Sequence, residues 1–300
     1  LDWTNAAVFS TAVMAVVNIL DSHLVSKRVP SLRAFLIPAG ILNVINATIL
    51  LNIFPLPQDL GVIPFLITVL SSVLRALGVL LILHILQTRE VSRVIPVTHT
   101  HPVFVAILAV LFLGETLAYL EWIAFMAVVL GAILISIQRG AHGSGAGFPG
   151  SLILPLIASF LLATANVTSK YALEHVSYWN MLAFGSLLMA FIFLSVSLRP
   201  LPFRQLRTMR RPVLAVGLLV LTNALVLVSM FLMFWAIQRG PVSLVSAIEG
   251  ARPAFVFVYV LILSRISHVL LEQRMGRQTI AMRLVAIAMI VGGITLIHLT

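Results

Sequence analysis

Apolar residues occupy the chain in ten long runs, and polar residues collect in the breaks between them. The runs cover residues 4–25, 33–54, 62–87, 91–113, 118–138, 151–174, 177–198, 212–237, 241–263 and 280–298. About 20 helical residues, each rising about 1.5 Å, cross the roughly 30 Å hydrocarbon core of a bilayer. Each run is therefore predicted to be a transmembrane helix. Punctuation rich in Pro and Gly separates them, at Pro55-Leu56-Pro57, Gly143-Ser144-Gly145-Ala146-Gly147, Arg199-Pro200-Leu201-Pro202 and Arg239-Gly240-Pro241. No break has room for a soluble domain. The predicted fold class is an all-α membrane protein of ten transmembrane helices.

Composition agrees. The chain is 61% hydrophobic and 9% charged, where a soluble domain carries about 25% charged residues. It has no cysteine, which excludes disulfides, thiolate metal sites and a cysteine nucleophile. A net charge of +10 would suggest nucleic acid in a soluble protein. Here the arginines stand between apolar runs with no nucleic-acid-binding motif around them. The first run is long enough to span and lacks the small-residue cleavage site of a signal peptide. Because the chain starts at Leu1 rather than Met, a few preceding residues are expected.

The chain also repeats itself. Gln87–Val105 lies on Gln238–Val256 without gaps at an offset of 151, with seven of 19 positions identical: Gln87/Gln238, Val91/Val242, Ser92/Ser243, Val94/Val245, Pro102/Pro253, Phe104/Phe255 and Val105/Val256. Half the chain separates the copies, so one unit is duplicated. The offset is five spans, an odd number, so equivalent helices are expected to cross in opposite directions. Inverted repeats of this kind carry alternating-access transport, with substrate near the midplane between the halves.

Lysines and arginines give the direction. Fifteen lie in the loops after spans 1, 3, 5, 7 and 9, against Arg239 alone on the other face; Arg75, Lys170 and Arg252 lie inside spans. The positive-inside rule predicts loops 26–33, 88–93, 139–150, 199–211 and 264–279 in the cytoplasm and both termini outside.

The stretch PVFVAILAVLFLGETLAYLEWIAFMAVVLGAILI, Pro102 to Ile135, combines a proline-led helix, a turn at Gly114-Glu115, Trp122 and a last helix containing Gly131. It resembles the end of a repeat in the drug/metabolite transporter superfamily, specifically its EamA-like members with ten spans in two five-helix units. The second copy matches at Pro253 and Gly292-Gly293 but lacks the Gly-Glu turn, and carries the extra basic segment SHVLLEQRMGRQ. Weaker matches pair Asn18 with Asn166 and Ser22 with Lys170. The resemblance implies repeats at 1–140 and 151–300, a Gly-rich linker at 141–150, and a multi-pass protein of the cytoplasmic (inner) membrane. It also implies export more readily than import. Substrate identity does not follow from it.

Candidate site residues cluster around the two prolines. Proline inside a helix frees the carbonyl four residues back, which belongs to Thr98 for Pro102 and to Glu249 for Pro253. Freed backbone groups are tolerated in a membrane only inside protein or facing a wet cavity. Glu249 and Arg252 share a face of span 9, and their counterparts in span 4 are Thr98 and His101. Span 6 adds Asn166 and Lys170; span 1 adds Asn18, Asp21 and Ser22; span 3 adds Arg75 and His84; Trp235 occupies the position equivalent to His84. A charge at the bilayer centre costs about 3 kcal/mol on insertion scales, so five of them must pair or meet water. The expected pairs are Asp21–Lys170 and Glu249–Arg252. The surplus of positive charge points to an anionic or zwitterionic solute held by Arg252 or Lys170, since guanidinium suits bidentate carboxylate or phosphate contact.

His99 and His101 lie nearly opposite each other on a helix and make a poor metal site. No metalloprotease, nucleophile-elbow or P-loop motif is present. The expectation is a secondary-active transporter rather than an enzyme, without metal or cofactor, driven by a coupling proton or a counter-substrate. Its partners would be a small-molecule substrate and membrane lipids, in a monomer or homodimer. The rival readings are a lipid flippase, a divalent-cation channel, which excess positive charge disfavours, and a membrane scaffold.

Overall fold

A computed structural model describes residues 2–27, 32–88, 100–136, 153–197, 212–266 and 277–300. Thr98, the linker at 141–150, loop 199–211 and most of the insertion at 267–278 lie outside the described residues. The described chain is helical, with no strand among the described residues. The helices are α1 (Trp3–Lys27), α2 (Leu32–Ile53), α3 (Val62–Thr88), α4 (His101–Leu108), α5 (Tyr119–Ser136), α6 (Ile153–Ala172), α7 (Tyr178–Ser197), α8 (Pro212–Arg239), α9 (Val242–Gly250), α10 (Arg252–Ile266) and α11 (Arg277–Leu299). Nine described stretches are long and apolar enough to cross a membrane, with Val242–Leu263 as one of them; His101–Leu113 is a shorter apolar piece.

One expectation needs correcting. Span 9 reads in the sequence as a single proline-kinked helix, but it is two helices. α9 stops at Gly250, Ala251 adopts φ −73° and ψ −1°, and α10 begins at Arg252. The described part of span 4 opens the same way: Thr100 has φ −81° and ψ −7°, and α4 begins at His101. Both prolines stand second in the new helix, where a missing N–H costs nothing because the first turn has no intrahelical acceptor for it.

Four long seams hold the bundle: α1 on α8, α2 on α7, α3 on α6 and α5 on α11. Lipid tails are as apolar as leucine, so packing and interhelical hydrogen bonds must hold these seams. Small residues make the packing close. A Cβ added to Gly131 on α5 would lie 2.8 Å from the Ala286 carbonyl oxygen, and one added to Gly293 on α11 would lie 2.8 Å from that of Ala124. Serines supply the hydrogen bonds. Ser10 and Ser229 each donate to the other's carbonyl, at 2.8 and 2.9 Å, across α1 and α8. Ser71 and Ser169 meet at 2.7 Å across α3 and α6.

Contacts also show which connections share an end of the bundle. Asn180, at the start of α7, donates to the Phe54 carbonyl at the end of α2, at 2.9 Å. Gln238 donates to the Leu173 carbonyl at 2.9 Å, and the Glu115 carboxylate meets Val242. Asp2 pairs with His298 at 3.4 Å, and Trp3 packs on Gly240. The connections after α2, α4, α6 and α8 therefore gather at one end, together with both described chain ends.

Candidate functional site

The start of α4 faces the break between α9 and α10. Pro102 of α4 packs against Gly250 of α9, where an added Cβ would sit 3.0 Å from the proline ring. Just beside this crossing lies Glu249, seven residues into α9 and so about 10 Å along it from the shared end.

Glu249 is the centre of a polar network drawn from five helices. Its Oε1 accepts from Arg252 Nη2 at 2.8 Å. Its Oε2 lies 3.6 Å from His101 Nε2 and accepts from Asn166 Nδ2 at 3.4 Å. Asn166 also donates to Ser246 Oγ at 3.1 Å, while its Oδ1 accepts from Arg75 Nη2 at 2.9 Å. Arg75 reaches Ser169 Oγ at 3.2 Å and lies over the Phe234 ring at 5.2 Å. Asn166 thus links the Arg75 guanidinium to the Glu249 carboxylate. Arg75, His101 and Asn166 are buried, whereas Glu249 and Arg252 keep 15% and 22% of their side-chain surface open. The acid and one arginine are therefore the partly open members of the network.

Of the residues singled out by sequence, this network unites Arg75, His101, Asn166, Glu249 and Arg252. The expected Glu249–Arg252 pair forms. The expected Asp21–Lys170 pair does not. Lys170 Nζ instead donates to the carbonyls of Ile237, Gln238 and Gly240 at 2.7, 3.2 and 2.9 Å, where it closes the C-terminal end of α8. Helix ends leave such carbonyls unpaired and slightly negative, and the last turn of α6 delivers an ammonium to them. Asp21 lies ten residues beyond Thr11, whose hydroxyl reaches the Ile248 carbonyl at 3.3 Å, so it is about 15 Å further along α1. The Asp21 Oδ1 is buried with no partner among the described residues. Asn18 and His84 are exposed, and Trp235 lies under the Arg239 guanidinium at 4.1 Å.

In the sequence, Glu115 reads only as part of a turn. The chain reaches it through a π-helical turn, Ala109–Leu113, that closes on Gly114 in the left-handed region at φ 65°, a conformation glycine adopts without strain. Glu115 then caps α9 from across the bundle. It accepts from the N–H of Val242 at 2.6 Å, the N–H of Ser243 at 3.3 Å and the Ser243 hydroxyl at 2.5 Å. α9 has proline at its N-cap position and no side-chain cap of its own. That uncapped Gly-Pro start is the signal that a distant acid has to serve it.

No three His, Cys, Asp or Glu side chains group as a metal site among the described residues. What the network can do is hold charge. Two guanidinium groups, one carboxylate and an imidazole form a charge-assisted array with its donors already oriented.

Comparisons with known proteins bear on what this array serves. Residues 3–137 match the EamA-like transporter family. An uncharacterized protein of Methanocaldococcus jannaschii is 35% identical over 71 residues, which are 24% of this chain and 52% of that protein. The chain thus spans about half the length of this curated relative. A protein of known crystal structure superposes with a TM-score of 0.72 at 13% identity, over 98% of this chain and 97% of the other. At that identity the likeness is one of fold.

Proposed function

We propose that this multi-pass membrane protein, whose residues 3–137 match the EamA-like transporter family, is a member of that family and a secondary-active carrier of a small anionic or zwitterionic solute. The observation that carries the substrate class is the network beside the Pro102–Gly250 contact. Arg75 and Arg252 outnumber Glu249, and the partly open Glu249–Arg252 pair lies where α4 and α9 cross. Such a site binds an anionic group most strongly where the walls are dry.

Alternating access between two inverted halves, 1–140 and 151–300, is the mechanism we infer. Thr100 and Ala251, which precede α4 and α10, are 151 residues apart and have nearly the same backbone angles. The principal seams also map onto one another when each span is exchanged with the one five later: α3 on α6 becomes α8 on α1, while α2–α7 and α5–α11 map onto themselves. A fixed central site with two halves rocking about it follows from such symmetry. We further infer that the end gathering Glu115, Lys170 and both described chain ends faces outward, since the arginine-rich loops belong to the other end. Export across a cytoplasmic membrane is the direction this reading favours, with a proton or counter-substrate as the driving partner. Thr98, Asn18, Asp21, His84 and Trp235 remain candidates for lining the path.

Flux into liposomes tests the proposal. Native protein should accelerate saturable movement of a carboxylate-bearing solute, and Arg252→Ala should abolish the saturable part. Conductance without saturation would favour a channel, and competition by lipid headgroups alone would favour a flippase.

A further inference from the structure

The geometry points to Glu249 as the carrier's resident anion: it fills a carboxylate-shaped position between Arg252, His101 and Asn166 in the unloaded protein, and the carboxylate of an incoming solute displaces it. This inference rests on the carrier reading above and narrows its substrate from anions in general to carboxylates.

Three observations carry it. The two oxygens of Glu249 have separate partners, Arg252 Nη2 donating to one and Asn166 Nδ2 to the other, with His101 Nε2 3.6 Å from the second, so these groups surround a planar, two-oxygen group. Those groups come from three other helices, α10, α6 and α4, so the position exists apart from the residue that fills it. Arg252 is also only half used. Its Nη2 binds Glu249, while its Nε is buried with no partner among the described residues. A guanidinium edge presenting Nε and Nη2 together is the fork that takes a carboxylate bidentately. Glu249 occupies one tine; a solute carboxylate would fit both.

The consequence is a built-in competition. With Glu249 in place, Arg252 keeps an ion-pair partner and the site can reorient without a solute. A solute binds only by the difference between its own contacts and those it takes from Glu249, so affinity is held down. Removing the resident charge should therefore create a tighter anion site.

The experiment uses purified full-length protein with acetate, inorganic phosphate and chloride as probes at equal ionic strength. Thermal midpoints are read for native protein, Glu249→Gln, Glu249→Ala and the double variant Glu249→Gln/Arg252→Ala. Acetate should raise the midpoint of both single variants at concentrations about tenfold below those needed for native protein. It should do so more than phosphate or chloride, and the double variant should lose the effect. Equal responses to all three anions, a larger response to phosphate, or acetate stabilisation that persists without Arg252 would each overturn it. Should Glu249→Ala fail to fold, Glu249→Gln keeps the side-chain volume and carries the same test. Failure of the carrier reading looks different: acetate would bind the variants as expected while native protein moves no carboxylate solute across liposomes.

Discussion

The carboxylate of Glu115 closes the N-terminus of a helix 127 residues away, accepting the N–H of Val242 at 2.6 Å. On the other side of the same turn, Lys170 closes the C-terminus of α8. The α8–α9 connection is thus held by an acid from the turn after α4 and a base from the end of α6, each matched to the partial charge of the helix end it meets.

Glu115→Ala leaves the first N–H groups of α9 without an acceptor. Loss of such a cap costs about 1–2 kcal/mol, and charge-assisted hydrogen bonds lie at the upper end. The thermal midpoint of the detergent-solubilised protein should fall, and Glu115→Gln, which keeps an acceptor oxygen, should recover part of the loss. An unchanged midpoint for Glu115→Ala would remove the cap from the account.

Lys170→Met removes one donor group from three carbonyls. A loss of about 2 kcal/mol is expected, in the range for hydrogen bonds involving a charged group. Lys170→Arg should restore only part of it, because a planar fork cannot meet three carbonyls converging on one ammonium. Thermal unfolding of the two variants side by side decides the point.

At the α5–α11 seam, Gly131→Ala brings a methyl to 2.8 Å from the Ala286 carbonyl oxygen. Backbone cannot yield as a side chain does, so a cost of about 1–3 kcal/mol is expected. Gly185→Ala serves as the control, since an added Cβ there meets nothing within 4 Å. Equal midpoints for the two variants would contradict the close seam.

Orientation can be read on a clean background, because the native chain has no cysteine. An impermeant maleimide added to intact cells should label Asp59→Cys, in the exposed connection after α2. It should reach Gln205→Cys, in the arginine-rich loop, only after lysis. The reverse pattern would invert the protein in the membrane.

Much of this architecture is legible in the sequence. The apolar runs locate α1, α2, α3 and α7 to within two residues at each end, because the length of a span is set by the lipid. Pro102 and Pro253 mark the starts of α4 and α10 for a local reason, the missing N–H. Partners are another matter. The cost of a buried charge says that Lys170 must meet something, but an ammonium is satisfied equally by Asp21 or by three carbonyls. Only the arrival of α6 beside the end of α8 decides between them. Arg75 is similar: its tie to Asn166 depends on the α3–α6 seam, 91 residues apart in sequence. The partner of Glu115 is hidden for the same reason, although the uncapped start of α9 shows that one is needed.

Ligand-induced stabilisation tests the central claim most directly, with amino acids, organic acids, nucleotide sugars and cationic drugs offered to native protein and to Arg252→Ala. A ligand at 100 times its Kd stabilises by about 2.7 kcal/mol, enough to move a thermal midpoint visibly. The expected result is stabilisation of native protein by carboxylate-bearing solutes and its loss in Arg252→Ala. Stabilisation by cationic drugs alone, or by any solute equally in both proteins, would contradict an anion site built on Arg252 and Glu249.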